Sequence, residues 1–202
     1  MPLWIERQSL VLASQSEIRG KMLAAAGLRF EIRPANIDER DVEAKAGTAD
    51  AAAAARLLAR AKAQAVSATR PGQLVLGADQ TLARGATRFS KPANRDKALE
   101  QLQSLRGRTH ELHSAVALVR DGTVLFDCVD TARLTMRDVT DRFLAEYLDM
   151  AGDAALHSVG AYQLEGIGIH LFDKVEGDYF TILGLPLLPL LKFLRQEKFV
   201  DG

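Results

Sequence analysis

The sequence predicts an α/β protein with a mixed sheet and helices on both sides, and two observations carry that expectation. Through the first half, short apolar runs alternate with helical patterns, the order that builds strand–helix–strand units. Farther on, two long apolar runs flank Asp121-Gly122, the dipeptide that closes a tight antiparallel hairpin. The hairpin argues against a purely parallel sheet.

Leu10 to Ala13 reads as a buried strand. Ser16 then stands as N-cap of a helix whose apolar positions Ile18, Met22, Leu23 and Ala26 share one face, with Gly27 as its stop. Phe30 and Ile32 alternate with polar neighbours and mark a second strand running toward Asp38-Glu39. The Ala- and Leu-rich stretch from Ala51 to Val66 predicts a strong helix, entered at Thr48 or Asp50 and closed by Pro71-Gly72. Leu74 to Leu76 is an apolar strand that ends in Gly77-Ala78-Asp79-Gln80. Asn94 caps a helix carrying Ala98, Leu102 and Leu105, which Gly107 terminates. The hairpin pairs Leu112–Val119 with Val124–Leu134. After it, Thr140 caps a helix with Phe143, Leu144, Tyr147 and Leu148 inward, Ile167 to Phe172 reads as a strand, and Leu187 to Leu194 as a closing helix. Neither a repeat nor a low-complexity linker divides the chain, so residues 1–202 are expected to form a single domain.

Twenty-six basic residues balance twenty-six acidic ones without long runs of either sign. The electrostatic footprint of a nucleic-acid or membrane-surface binder is missing, and a small partner is expected. Cys128 is the only cysteine, which excludes an internal disulfide and a multi-cysteine zinc site and fits a reducing compartment. Glu6, Arg7, Gln8 and Ser9 stand where a signal peptide needs an apolar core, and the longest apolar block, Ala51 to Ala55, is far too short to span a bilayer. A cytoplasmic protein is expected.

Asp79 is the first catalytic candidate, because an apolar strand that ends in small residues and then presents one carboxylate holds that acid rigidly at a cleft. Ser14 and Ser16 occupy the same kind of position after the first strand, at a helix start suited to a phosphate. With no histidine placed to activate them, they read as hydroxyl donors rather than nucleophiles. Arg19, Lys62 and Lys91 can neutralise a polyphosphate, whose charge is spread over many oxygens; solvated helix positions are the alternative for Arg19 and Lys62. Asp38-Glu39 can lend a carboxylate to Mg²⁺, or form an ordinary charged loop. His110, His113, His157 and His170 lack metal-ligand spacing, and His110 reads as a structural residue.

Taken together, Leu12-Ala13-Ser14-Gln15-Ser16-Glu17-Ile18-Arg19, Ile37-Asp38-Glu39, Ala59 to Ala63 around Lys62, Gly77-Ala78-Asp79, Lys91-Pro92, Gly107-Arg108-Thr109-His110, Gly160-Ala161-Tyr162 and Gly184-Leu185-Pro186 resemble the Maf family of nucleoside triphosphate pyrophosphatases. The resemblance runs in order over nearly the whole chain. It implies a two-lobed mixed α/β fold like that of the ITP pyrophosphatases, with a central cleft. It implies divalent-metal-dependent hydrolysis, with Mg or Mn held by Glu39 and Asp79, Asp79 as the catalytic acid-base group, and Ser14, Ser16, Arg19, Lys62 and Lys91 on the phosphates. A cytoplasmic homodimer is implied as well.

The chain departs from the common Ser-x-Ser-Pro-Arg-Arg opening: Glu17 and Ile18 stand where Pro and the first Arg usually do. Gln80 follows the catalytic Asp where the dTTP/UTP branch commonly has Thr, and Glu165 stands in place of its Gln. Ile18, Gln80 and Glu165 are similar to the branch acting on 7-methyl-GTP. A carboxylate accepts from both donors of a guanine Watson–Crick edge and is drawn to a cationic N7-methylated purine. Hydrolysis of dTTP, UTP or other modified nucleotides is the alternative within that chemistry, and a low-turnover nucleotide-binding regulator of septum formation is the alternative outside it.

Overall fold

The computed structural model describes residues 4–5, 8–47 and 50–201. Glu6 and Arg7, and Thr48 as a helix cap, lie outside them. The chain runs β1 (Leu10–Leu12), α1 (Glu17–Ala25), β2 (Phe30–Ile32), α2 (Glu39–Ala46), α3 (Ala51–Ser67), β3 (Val75–Arg84), β4 (Thr87–Phe89), α4 (Arg95–Leu105), β5 (Thr109–Arg120), β6 (Thr123–Met136), α5 (Asp141–Ala151), β7 (Phe172–Glu176), α6 (Tyr179–Ile182) and α7 (Leu187–Gln196). Among the described residues, no helix is long and apolar enough to cross a membrane.

One seven-stranded mixed sheet carries the fold, in the order β2-β1-β3-β5-β6-β7, with β4 also on β3. The β1 pairings are parallel, whereas β3 to β5, β5 to β6 and β6 to β7 are antiparallel. At the hairpin, Asp121 and Gly122 both have positive φ, as its tight turn requires.

Strand alternation sorts the core. Leu10, Leu12, Leu76 and Leu118 face α1 and α7 with Leu23, Leu185, Leu190 and Leu194, while Val11, Ala13, Val75, Ala115 and Ala117 face the Ala55, Ala59 and Ala63 stripe of α3. Because the α3 side is built of small residues, that helix lies close on the sheet. Gly77 marks the closest approach: a Cβ there would run into the Ala59 carbonyl and Ala63. A separate core at the far ends of β5 and β6 joins Leu102, Leu105, Leu134, Met136, Leu144, Tyr147 and Leu171 beneath α4 and α5.

Three expectations need correction. The strand carrying Asp79 does not end there; it continues to Arg84, because β5 is long enough to ladder with it from Val75 to Ala83. The second strand stops at Ile32 before Pro34, and Asp38 caps α2 by accepting from the Asp41 amide at 3.1 Å. Ile167–Leu171 is a 3-10 helix rather than a strand, which starts only at Phe172. Gly168 there packs against the Gln163 backbone so closely that a Cβ would clash, a tight turn that periodicity does not reveal.

Candidate active site

β3 offers two edges, and β5 takes the whole of one. On the other edge β1 pairs only at Val75 and Leu76, and β4 only from Leu82, which leaves a gap between them. The edge carbonyls of Leu74 and Leu76 accept from Val11 N and Ala13 N at 2.9 and 2.8 Å. The next acceptor along this edge, Ala78 O, is taken by a side chain instead: Arg19 Nη1, at 3.0 Å. The gap thus opens beyond the carboxyl end of β1, where the sheet changes from parallel to antiparallel, the kind of place where open α/β sheets bind ligands.

Gly77, Asp79 and Thr81 share the face of β3 turned to α3. The close approach at Gly77 sets the spacing, and Thr81 Oγ1 donates to Ala51 O at 2.8 Å. Between these two anchors, Lys62 Nζ of α3 reaches Asp79 Oδ1 at 2.5 Å and Glu39 Oε1 of α2 at 2.8 Å. Asp79 and Lys62 are nearly buried, with side-chain exposures of 10% and 12%, while Glu39 is half exposed. Burial pushes the Asp79 carboxyl above the usual carboxylate range, against the pull of Lys62 and Arg19. Burial also draws the Arg19 guanidinium below its ordinary value, and Asp79 and Glu39 oppose that shift.

Arg19 is held by three acceptors. Nη1 donates to Ser14 Oγ and Ala78 O, each at 3.0 Å, and Nε to Gly184 O at 2.8 Å. The Ser14 oxygen also accepts from Ser16 N at 3.3 Å, so its lone pairs are engaged and its hydroxyl proton is left to donate. Ser16 occupies the N-cap position of α1 without a side-chain cap bond.

The structure therefore brings together Asp79, Lys62, Glu39, Arg19 and Ser14, with Ser16 next in line. Of the Asp38-Glu39 pair, Asp38 is spent on its cap and Glu39 enters the site. Asp79 and Glu39 set two hard oxygen donors against one ammonium, the number and type that a magnesium ion takes from a protein when polyphosphate and water fill its other positions. Among the described residues, no third His, Cys, Asp or Glu joins them.

Other candidates lie apart from this cluster. Lys91 is exposed on the loop between β4 and α4, and no hydrogen bond or ion pair among the described residues ties it to Asp79. Ile18 packs against the α1-side core. Glu165 is exposed on the turn before the 3-10 helix, close enough to Tyr147 to raise its pKa together with burial, which is the larger cause. Gln80 points to the opposite face of β3 from Asp79 and donates to Ser114 Oγ, Thr181 O and Ile182 O at 3.0, 3.2 and 2.9 Å. Gly184, whose carbonyl seats Arg19, is a site residue that the sequence reading did not single out, although it opens the Gly-Leu-Pro motif quoted there.

A mixed α/β sheet thus carries a buried Lys–carboxylate pair, a further acid and an Arg–Ser pair beside a gap along one edge of β3. The chain belongs to the Maf family: the family's model, described as Maf-like protein, matches residues 9–197. A nucleoside triphosphate pyrophosphatase of Rhodopseudomonas palustris (strain HaA2) is 57% identical over 198 residues, 98% of each chain. A 7-methyl-GTP pyrophosphatase of Rhizobium johnstonii is 54% identical over 195 residues, covering 96% of this chain and 98% of that one. Among solved structures, a HAM1 protein from Coxiella burnetii aligns over 65% of this chain and 74% of its own at 18% identity, with a TM-score of 0.42.

Proposed function

We propose that this chain is a nucleoside triphosphate pyrophosphatase and that its substrate is 7-methyl-GTP. The observation that carries the reaction is the buried Asp79 carboxyl, held at 2.5 Å by Lys62 and flanked by Arg19. Asp79 takes a proton from a water molecule that attacks the α-phosphorus. The bond between the α-phosphorus and the bridging oxygen breaks as the new P–O bond forms, and nucleoside monophosphate and pyrophosphate leave. Lys62 fixes the carboxylate and, with Arg19, offsets the charge that grows on the phosphate oxygens. Ser14, Ser16 and Lys91 supply further donors to the phosphates. Asp79 and Glu39 would hold a divalent cation, Mg or Mn, which when bound neutralises polyphosphate charge.

The base preference rests on Glu165, an acceptor-only group suited to the donors of a guanine edge, and on Ile18, which leaves a methylated cationic purine without a competing positive charge. That a relative at 54% identity carries the name 7-methyl-GTP pyrophosphatase supports the choice. The same reading includes a homodimer working in the cytoplasm.

Pyrophosphate release from a panel of nucleotides tests both levels. The wild type should turn over 7-methyl-GTP with a higher kcat/KM than dTTP or UTP. Glu165→Gln should move that ratio toward the pyrimidines by about 1 to 3 kcal/mol, roughly five- to 150-fold. A wild type that prefers dTTP or UTP defeats the base assignment and leaves the reaction standing. Nucleotide binding without pyrophosphate release defeats the enzyme reading and favours a regulator.

A further inference from the structure

The turn that carries Glu165 follows two residues of unusual backbone. Gly160 and Ala161 both lie in the left-handed region, with φ +80° and +62°. Glycine takes up such a φ freely, whereas an alanine keeps it only where its surroundings leave no alternative. Gly160 is pressed against β3: a Cβ there would come within 2.6 Å of Leu82 Cδ1 and 2.8 Å of the Tyr162 ring. Ala161 is fully buried, and its carbonyl accepts from the Tyr147 hydroxyl of α5 at 3.2 Å.

Tyr147 is itself 2% exposed and meets the chain on both sides of Tyr162. Burial raises its pKa to about 12, and a backbone hydrogen bond from Gln163 works against that rise, while Glu165 is near enough to add to it. Tyr162 is fixed from the other direction by His110 Nε2 at 2.7 Å and by Phe172, with ring centroids 4.7 Å apart. From Gln163 onward the turn is bonded to itself: Gly166 N donates to Gln163 O, and Ile169 N to Gly166 O, each at 3.2 Å. A cavity of about 170 Å³, lined by Tyr147, Met150, Ala155, Gln163 and Ile167, lies against this turn and gives it room to move once a hold is lost.

We propose that Tyr147 is a positioning residue: its buried hydroxyl holds Ala161 in the left-handed conformation and thereby fixes the turn that presents Glu165 to the base. The proposal rests on Glu165 as the base reader of the pyrophosphatase. Tyr147→Phe removes the hydroxyl and keeps the ring in the core. It should speed amide hydrogen exchange across residues 161–166 about tenfold while α5 exchanges as in the wild type. It should lower the ratio of kcat/KM for 7-methyl-GTP to that for dTTP about tenfold. Calorimetric binding of inorganic triphosphate, which carries no base, should stay at the wild-type affinity. In a Glu165→Gln background, Tyr147→Phe should shift the ratio little further, because both changes act through one carboxylate. Adding Ala161→Gly to Tyr147→Phe should recover most of the ratio, since glycine keeps a positive φ unaided and would not mend a mere loss of packing.

Equal losses for both nucleotides and for triphosphate would make Tyr147 a general stabiliser and overturn the proposal. So would unchanged exchange in the turn, a double variant that recovers nothing, or a ratio that Glu165→Gln shifts and Tyr147→Phe does not. If Tyr147→Phe does not fold, the wild type still supplies a test: its Gln163 amide should be as protected as the amides of α5, and exchange at the rate of an exposed loop overturns the proposal. A wild type that releases no pyrophosphate from any nucleotide, or a Glu165→Gln protein with the wild-type ratio, refutes the functional reading alone, and exchange in the turn then decides whether Tyr147 holds it.

Discussion

Asp79 sits where two opposing effects nearly meet. A carboxylate at 2.5 Å from an ammonium gains Coulombic stabilisation, yet at 7% exposure it has lost most of its water, and the loss is the larger effect. An acid whose pKa is raised is a stronger base once ionised, which suits proton abstraction near neutral pH. Since the ionised form is the active one, kcat/KM should climb with pH through the raised value, so the rising limb lies above the ordinary carboxyl value of 3.8. Asp79→Asn keeps the shape and removes the base. It should lower kcat by about a hundredfold or more and abolish that limb, while Glu39 still pairs with Lys62 at 2.8 Å and the thermal midpoint is kept. Pyrophosphate release across pH, beside a melting curve, checks both. Near wild-type turnover by the variant would remove Asp79 from the chemistry. At this scale Asp79 and Ser14 were legible because each follows an apolar run, whereas the inward turn of Lys62 and Arg19 was not, since a cation on a helix is as readily solvated. That Gln80 faces α6 was not, since its partners Thr181 and Ile182 lie in a distant short helix with no strong pattern of its own.

Among elements, the pairing of α3 with β3 does most to assemble the site. The alanine run of α3 gave a legible helix, but its use as a flat face becomes clear only against Gly77, Val75 and Ala115. A larger residue at 77 would lift α3 and carry Lys62 away from Asp79. Gly77→Ala should therefore destabilise the protein by about 3 kcal/mol, the upper end of ordinary overpacking, because the clash is with backbone rather than a movable side chain. Activity should fall further than unfolding alone explains at temperatures where the variant is still folded. Denaturant unfolding with activity assayed in parallel measures the two effects, and a variant with wild-type stability would show that α3 can shift freely. The misjudged elements share a cause. Local patterns favoured ending β3 at Asp79 and making Ile167–Leu171 a strand, whereas the ladder with β5 and the tight packing at Gly168 are long-range or steric facts. The helix α2 is not legible because its polar sequence buries no residue, and its Asp38 cap lies where the pattern of Phe30 and Ile32 points to a strand running toward Asp38-Glu39.

The molecule as a whole holds its site between the α1, α3 and α7 packing at one end of the sheet and the α4–α5 core at the other, so the stability of that far core bears on the entire fold. A titratable group lies within it. His110 is 1% exposed, and its Nε2 shares a 2.7 Å hydrogen bond with the Tyr162 hydroxyl, while Phe172 lies with a ring centroid 5.9 Å away. Among the described residues its Nδ1 has no hydrogen-bond partner, and burial lowers its pKa from 6.5 to about 4. Above pH 6.5 the imidazole is neutral in both folded and unfolded chains and the core is undisturbed. As the pH falls below that value, the unfolded chain takes up a proton that the folded core refuses until about 4, so stability drains away through this window. The difference corresponds to about 3 kcal/mol for this one group. His110→Gln retains a polar partner for Tyr162 and cannot titrate there. It should be less stable than the wild type at pH 7, and the gap should narrow as the pH is lowered toward 4. Urea unfolding of both proteins at stepped pH reads that convergence directly, and parallel pH dependences would show that His110 is protonated as readily in the folded core as in the unfolded chain.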